Sequence, residues 1–269
     1  MGAKKKIIII ICLLIIGVTC CRSQKEKKSE QKRQNEALVA SYPDQIKAYL
    51  EKKYGRKFCV NPEWIGGGGS PIPFAQPDYV TYECIAWEDE EHGYAFRTEV
   101  YPVSLDDKRV VEIRDSYCWK FISRKIRDEI SEAWKEITEE EFKIIIYPYL
   151  WKGTFGKRIY SNSGIKEALK EIETEIRIYV IFSPELELGE TELNIATEEI
   201  ATNFYNEYIK ESGCQLCIYI WETYTKEDFL KIEPEKSEQY KLKVMESEYE
   251  DKNWLPVDVI RRTEVKMKE

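Results

Sequence analysis

Residues 79–88 read Tyr-Val-Thr-Tyr-Glu-Cys-Ile-Ala-Trp-Glu, and this stretch decides the fold. Val80, Tyr82, Cys84 and Ala86 alternate with Thr81, Glu83 and Ile85. A period of two predicts a strand that turns one face to a core. An acidic turn carrying His92-Gly93 leads into a second run, Tyr94 to Val103, and Asp106-Asp107 turns into a third, Arg109 to Arg114. Short polar turns between alternating runs predict an antiparallel meander.

Helices flank the meander. Upstream, Ser41 stands as an N-cap with Pro43 in the first turn and Gly55 just past the end. Ile46, Tyr49, Leu50 and Tyr54 between them share one helical face. Phe58 to Val60 starts extended structure, and Gly66 to Pro71 reads as a loop. It is no phosphate cradle, because the Gly-Lys-Ser/Thr ending and a following helix are missing. Downstream, Asp115 or Ser116 opens a long amphipathic helix with Phe121, Ile122, Ile126, Ile130, Trp134 and Ile137 on its apolar positions. Helix, meander and helix make a first unit over residues 37–137.

Residues 138–269 form a second unit. A helix is expected over Glu139 to Trp151, then Gly153, Gly156 and a polar Ser161-Asn162-Ser163-Gly164 turn. Ile165, Leu169 and Ile172 mark a short helix before a strand, Glu175 to Phe182, stopped by Pro184. Ile200, Phe204, Tyr205 and Tyr208 line a helix ending at Gly213, and Gln215 to Tyr224 and Gln239 to Glu246 complete the strands. The expected fold class is therefore α+β, two consecutive helix-plus-antiparallel-sheet units. No residue identity aligns one half with the other.

The N-terminus gives an address. Lys4, Lys5 and Lys6 precede an apolar run, Ile7 to Val18, that closes on Thr19-Cys20-Cys21. A basic end, a short apolar core and small residues before a cysteine describe an export signal. Ile7 to Cys21 falls short of the ~20 residues a membrane-crossing helix needs. Val18-Thr19-Cys20-Cys21 resembles the lipobox of bacterial lipoproteins, with Cys20 where Gly or Ala is usual. The resemblance implies diacylglycerol on Cys21 and a place on the outer face of the bacterial cytoplasmic membrane; an uncleaved signal anchor is the alternative. Residues 22–36 make a charged tether, and Arg22 to Asn35 contains no aliphatic or aromatic residue to bury. Its basic excess suits anionic head groups, and a plain spacer is an equal reading.

Tyr49-Leu50-Glu51-Lys52-Lys53-Tyr54-Gly55-Arg56-Lys57-Phe58 is similar to the start of small uncharacterised lipoproteins and surface proteins of Gram-positive bacteria. These pair a helix ending in Tyr-Gly with a strand, and later a strand ending in Asp-x-Tyr, matched here by Asp115-Ser116-Tyr117. The similarity spans residues 38–137 and implies no catalytic residues.

Charge narrows the partners. Of 41 basic and 49 acidic residues, nine and two lie in residues 1–35, which leaves 32 and 47 and a net of −15 for the rest. Such a surface repels nucleic acid phosphates. It would steer a cationic protein or peptide, and it also serves plain solubility. Acidic residues cluster at Glu88 to Glu91, Glu139 to Glu141 and between Glu185 and Glu192, without a calcium-loop pattern.

Catalytic sets are scarce. His92 is the single histidine, which thins out triads, dyads and multi-histidine zinc sites. No spacing singles out two of the acidic residues as a glycosidase pair. Five cysteines follow the anchor: Cys59, Cys84, Cys118, Cys214 and Cys217. Cys214 and Cys217 have the Cys-x-x-Cys spacing of redox and metal sites, but a helix precedes them and a strand follows, the reverse of the thioredoxin order. Buried structural thiols, a redox pair and a metal site all stay open. Cys84 with Cys118 is the disulfide to test first, in a compartment that permits disulfides. No cofactor is expected. Among the aromatics, Trp64 beside the glycine loop and Tyr147, Tyr149 and Trp151 at the junction are the candidate contact residues. Three readings follow: a membrane-tethered, non-enzymatic binding or scaffolding lipoprotein; an immunity or inhibitor protein that binds a cationic toxin or hydrolase; and an envelope enzyme using carboxylates or the Cys214/Cys217 pair.

Overall fold

The computed structural model describes residues 29–30, 33, 37, 40–66, 80–87, 93–102, 111–152, 155–156, 158–184, 186–234, 257 and 259–267. The expected strand Gln239 to Glu246, the residues around His92 and Cys21 lie outside them. The architecture is α+β, built on two four-stranded sheets.

The first sheet is the meander. β1 (Phe58–Gly66), β2 (Val80–Trp87), β3 (Gly93–Pro102) and β4 (Val111–Asp115) pair antiparallel in chain order. Tyr82, Cys84 and Ala86 of β2 face a core with Phe96 and Val100 of β3, as the alternation requires. Covering that face is α1 (residues 40–54), whose Ile46 and Leu50 are wholly buried. Residue 40 is already helical, so Ser41 lies inside α1, where its Oγ accepts from Gln45 Nε2 at 2.9 Å and does not cap. Gly55 does end the helix: its φ is +67°, and its N–H donates to the Glu51 carbonyl at 2.9 Å.

The long helix α2 (Trp119–Lys135) starts later than Asp115 or Ser116 and has no side-chain cap. Both candidate caps are engaged elsewhere. Ser116 Oγ accepts from Arg97 N at 3.0 Å, and Asp115 takes part in a buried network described below. More consequentially, α2 turns its main apolar face away from the meander, to which it gives Phe121. Its Ile122, Ile126, Ile130 and Trp134 share a core with Ile144, Ile146, Ile176, Ile178 and Phe182 of the second sheet. The second core thus begins near residue 118, earlier than the expected boundary at 137/138.

That sheet runs β5 (Phe142–Lys152), β6 (Glu173–Phe182), β7 (Gln215–Thr223), β8 (Val259–Met267). β5 replaces the expected helix over Glu139 to Trp151. Phe142 to Lys152 is rich in isoleucine and aromatic residues that pack well in a pleated sheet, and Pro148 is tolerated because β5 is an edge strand. β8 is a strand that the sequence pattern does not mark, since charged residues interrupt its apolar ones. β6 and β7 are parallel, the one departure from antiparallel pairing among the described strands. Their connection contains α4 (Glu190–Phe204) and one π-helical turn, Tyr205–Ile209, a crossover of the length that parallel strands need. Gly213, at φ +72°, closes it. The α3 helix (Ile165–Leu169), α2 and α4 cover one face of the sheet, where alternate strand residues such as Ile144, Ile178 and Ile218 point. The other face buries Ile145, Tyr147, Tyr179, Ile181 and Trp221 with Ile232, which follows α5 (Lys226–Lys231).

Candidate functional site

Two places concentrate polar chemistry. The first is the seam between the halves. Asp115 ends β4 with its side chain wholly buried and receives Lys53 Nζ at 2.8 Å, Tyr54 OH at 2.6 Å, Tyr49 OH at 3.3 Å and its neighbour's backbone, Tyr117 N, at 3.1 Å. Lys53, 3% exposed, also donates to the Gly156 carbonyl at 3.0 Å, and Asp115 exchanges backbone hydrogen bonds with Phe155. Cys118 closes the cluster, with Sγ 2.9 Å from Tyr54 OH and 3.2 Å from the Ile159 carbonyl. Burial and then the Asp115 charge push the Cys118 thiol up to about 11, and the same causes lift the Tyr49 and Tyr54 phenols far above their ordinary range. Every group has a partner: Lys53 and Asp115 form an ion pair, and the Cys118 thiol and the Tyr49 and Tyr54 phenols are held in their neutral forms. The arrangement fixes the halves together and lacks the poised acid or base of a reaction centre.

Tyr54-Gly55 and Asp115-Ser116-Tyr117, the two short motifs read in the sequence, therefore meet in space.

The second place is a groove of about 160 Å³ between α2 and α4. Ile130 and Ala133 come from α2, Ile137 from the turn that follows it, and Ile200, Phe204 and Tyr208 from α4 and its π turn. These make an apolar floor. Glu129 of α2 and Glu136, its C-cap, edge it on one side, and Glu199 and Glu207 on the other. All four carboxylates are exposed, and none is in an ion pair among the described residues. Helical spacing sets this pattern: residues seven or eight apart fall two turns along one side of a helix. The lining comes from the C-terminal halves of both helices, so the negative ends of both helix dipoles add to the carboxylates. Lys135, the basic residue in the last turn of α2, gives its ammonium to Glu132 at 2.8 Å, and the last turn of α4 has no basic residue. Burial raises the Tyr208 phenol, and Glu207 and Glu129 beside it raise it further.

Size decides what the groove can hold. Ligand pockets for drug-sized molecules run from about 300 to 1,000 Å³. At 160 Å³, this groove holds one or two side chains of a larger partner.

The residues singled out from the sequence scatter. Cys214 and Cys217 face opposite sides of the second sheet, because an offset of three reverses the face of a strand. Cys214 lies in the core under α3, its Sγ 3.4 Å from the Ile172 carbonyl, while Cys217 is on the other face, its Sγ 3.6 Å from Glu264 Oε1. That geometry rules out their joint use as a dithiol or a pair of metal ligands. Burial pushes the Cys217 thiol up to about 11. No cluster of three metal-ligating side chains occurs among the described residues. The Cys84–Cys118 bridge is not formed: both are free thiols in different cores, Cys84 with its Sγ 3.2 Å from Thr98 Oγ1. Burial pushes the Cys84 thiol up to about 12. Tyr147, expected as a contact residue, is 1% exposed inside the second sheet's outer core. Trp64 lies in β1 opposite Tyr82, Tyr149 in β5 opposite Glu175, and Trp151 in β5 at a register shift. The acidic groups are partly structural: Glu140 Oε1 accepts from Glu187 N, Glu141 pairs with Lys226, and Glu192 accepts from Gly189 N.

The sequence holds two pieces of the seam, Tyr54 and Asp115, but not Lys53, and it does not point to the groove. The two-turn spacing of Glu129 with Glu136 was visible as helix periodicity. Its meeting with Glu199 and Glu207, 70 residues on, is tertiary.

No family model matches the chain, and no curated protein matches it. Among solved structures, the chain is similar to a DUF5037 family protein from Ruminococcus gnavus ATCC 29149, at 17% identity and a TM-score of 0.36, over 74% of this chain and 79% of that one. A likeness at that score carries no argument about fold or function.

Proposed function

We propose that this chain is a lipid-anchored, extracytoplasmic binding protein without catalytic chemistry of its own. The observation that carries the reading is the apolar groove edged by four carboxylates. The signal-like N-terminus supports the anchor, since Lys4 to Lys6, the short apolar run and Cys21 follow the order of a lipoprotein signal. A charge of −15 beyond residue 35 supports a cationic partner over a nucleic acid. The separation of Cys214 from Cys217 argues against the dithiol form of an envelope enzyme. No described helix is long and apolar enough to cross a membrane, and residues 1–28 lie outside the described set.

Two measurements test the reading. Metabolic labelling with palmitate should mark the full-length chain, and Cys21→Ala should abolish the mark and release the protein from the membrane fraction. A label that persists in Cys21→Ala, or recovery of unlabelled protein in the cytosol, refutes the anchor. Capture on the full-length chain should enrich a basic envelope protein that elutes with salt. Failure to enrich any protein refutes the binding role.

A further inference from the structure

We propose that the groove between α2 and α4 receives an amphipathic helical segment of a cationic protein, with its apolar side chains on the floor and its lysines or arginines along the two carboxylate edges. This rests on the binding reading above and names the site and the chemistry of its partner.

The floor asks for apolar groups. Ile137 is 38% exposed, a large aliphatic side chain left open at the groove mouth. Ile130, Ile200 and Phe204 behind it are buried, so the floor is the exposed rim of the second core. A partner side chain placed there removes apolar surface from water at little conformational cost, because the helices supporting it are already packed.

The edges ask for positive charge, and the charges are spaced for a helix. Glu129 to Glu136 is two turns, and Glu199 to Glu207 is two turns including the π turn. A single π turn inserts an extra residue per turn and is frequent where helices serve function. Here it carries Tyr208 and Glu207 to the groove. A helix laid between the edges can therefore offer cations on both flanks and an apolar strip below, the helix-in-groove mode of recognition.

Other occupants fit less well. The chain's own basic tether, Arg22 to Asn35, has the charge but no apolar residue for the floor. A small cation alone would leave Ile137 and its neighbours uncovered. A second copy of this chain would bring the same acidic edges against these.

The test uses the full-length chain in phosphatidylcholine nanodiscs, with empty discs as the blank. The probe is a fluorescein-labelled peptide of about 14 residues, or four turns, with leucine on one face and lysine on the other. A lysine-only peptide of equal charge serves as the comparison. The leucine–lysine peptide should bind roughly tenfold more tightly than the lysine-only one, and raised salt should weaken it. The combined variant E129Q/E136Q/E199Q/E207Q should lose roughly tenfold in affinity while its thermal midpoint stays unchanged, the four side chains being exposed. If that variant folds poorly, E129Q/E136Q and E199Q/E207Q separately should each weaken binding. Ile137→Ser should remove the preference for the leucine-bearing peptide. Equal binding of the two peptides, absence of binding, or affinity that survives loss of the four charges overturns the groove assignment. Capture of a basic envelope protein that persists while the peptide fails to bind, or binds the four-glutamine variant undiminished, would sink the groove alone; loss of the palmitate label would sink the anchor and leave the groove untouched.

Discussion

The two sheets solve burial differently. In the first, β3 residues alternate between buried and half-exposed along the strand, because α1 covers one face. In the second, β7 is buried at every position from Leu216 to Thr223 except Tyr219, because helices cover one face and a second cluster forms on the other. The cores differ in kind as well. Tyr117 sits among the rings of Tyr54, Phe58, Tyr94, Phe96 and Phe121, with centroids 4.8 to 5.9 Å away. In the second core isoleucine is the commonest residue. A one-sided sheet leaves stability to a few large rings, whereas a two-sided one spreads it over many aliphatic contacts. The comparison also explains where α2 goes: the two-sided sheet needs more cover.

The largest expected effect breaks the seam that joins the two. Asp115→Ala strands the Lys53 ammonium in a buried site and should cost about 3–5 kcal/mol. Hydrogen exchange should show loss of protection in both β2 and β7; loss confined to β2 would show that the halves unfold independently. Next, Ile178→Ala, in the two-sided sheet, should cost about 2–5 kcal/mol by chemical denaturation. Ile85→Ala, on the half-exposed face of β2, should cost clearly less, and equal costs would erase the contrast between the sheets. A smaller effect compares the helix ends. Gly55→Ala and Gly213→Ala force alanine to φ +67° and +72° with nothing within 4 Å of the added Cβ. Each should therefore cost about 1–2 kcal/mol from backbone conformation alone. The smallest is a pH effect. Cys118 and Cys84 bind protons more tightly folded than unfolded, with thiols raised from 9.0 to about 11 and about 12. Their stabilisation is complete below pH 9 and declines as pH rises above it. At about pH 9.5 each thiol should account for a loss of less than about 1 kcal/mol, which Cys118→Ala and Cys84→Ala should each remove from the pH profile.

The meander was legible because its information is local. Tyr82, Cys84 and Ala86 alternate, short turns follow, and neighbours in sequence are neighbours in the sheet. The second sheet was harder to read for reasons seen in single residues. Ile144, Ile145 and Ile146 are consecutive and all buried, so the period that separates strand from helix is absent. β8 carries Arg261, Arg262, Glu264 and Lys266, and its apolar residues reveal their face only opposite β7. The seam is half legible: Tyr54-Gly55 and Asp115-Ser116-Tyr117 stand out as motifs, but Lys53 reads as one more surface lysine until Asp115 is folded against it. The groove was not legible, because α2 and α4 become neighbours only through the second sheet.

The short edge between α1 and β4 also sets how the molecule meets a mechanical load. The residues that would lead to a membrane enter the fold through α1, and Lys53 and Tyr54 near its far end grip Asp115 and, through Gly156, the second half. Tension on the N-terminus can peel the first turns of α1 from the meander one at a time, starting with the contacts of Tyr42 and Ile46. It meets the buried ion pair last. The groove is carried on the far side of that pair by α2 and α4, so a load applied at the N-terminus would reach it through Lys53 and Asp115.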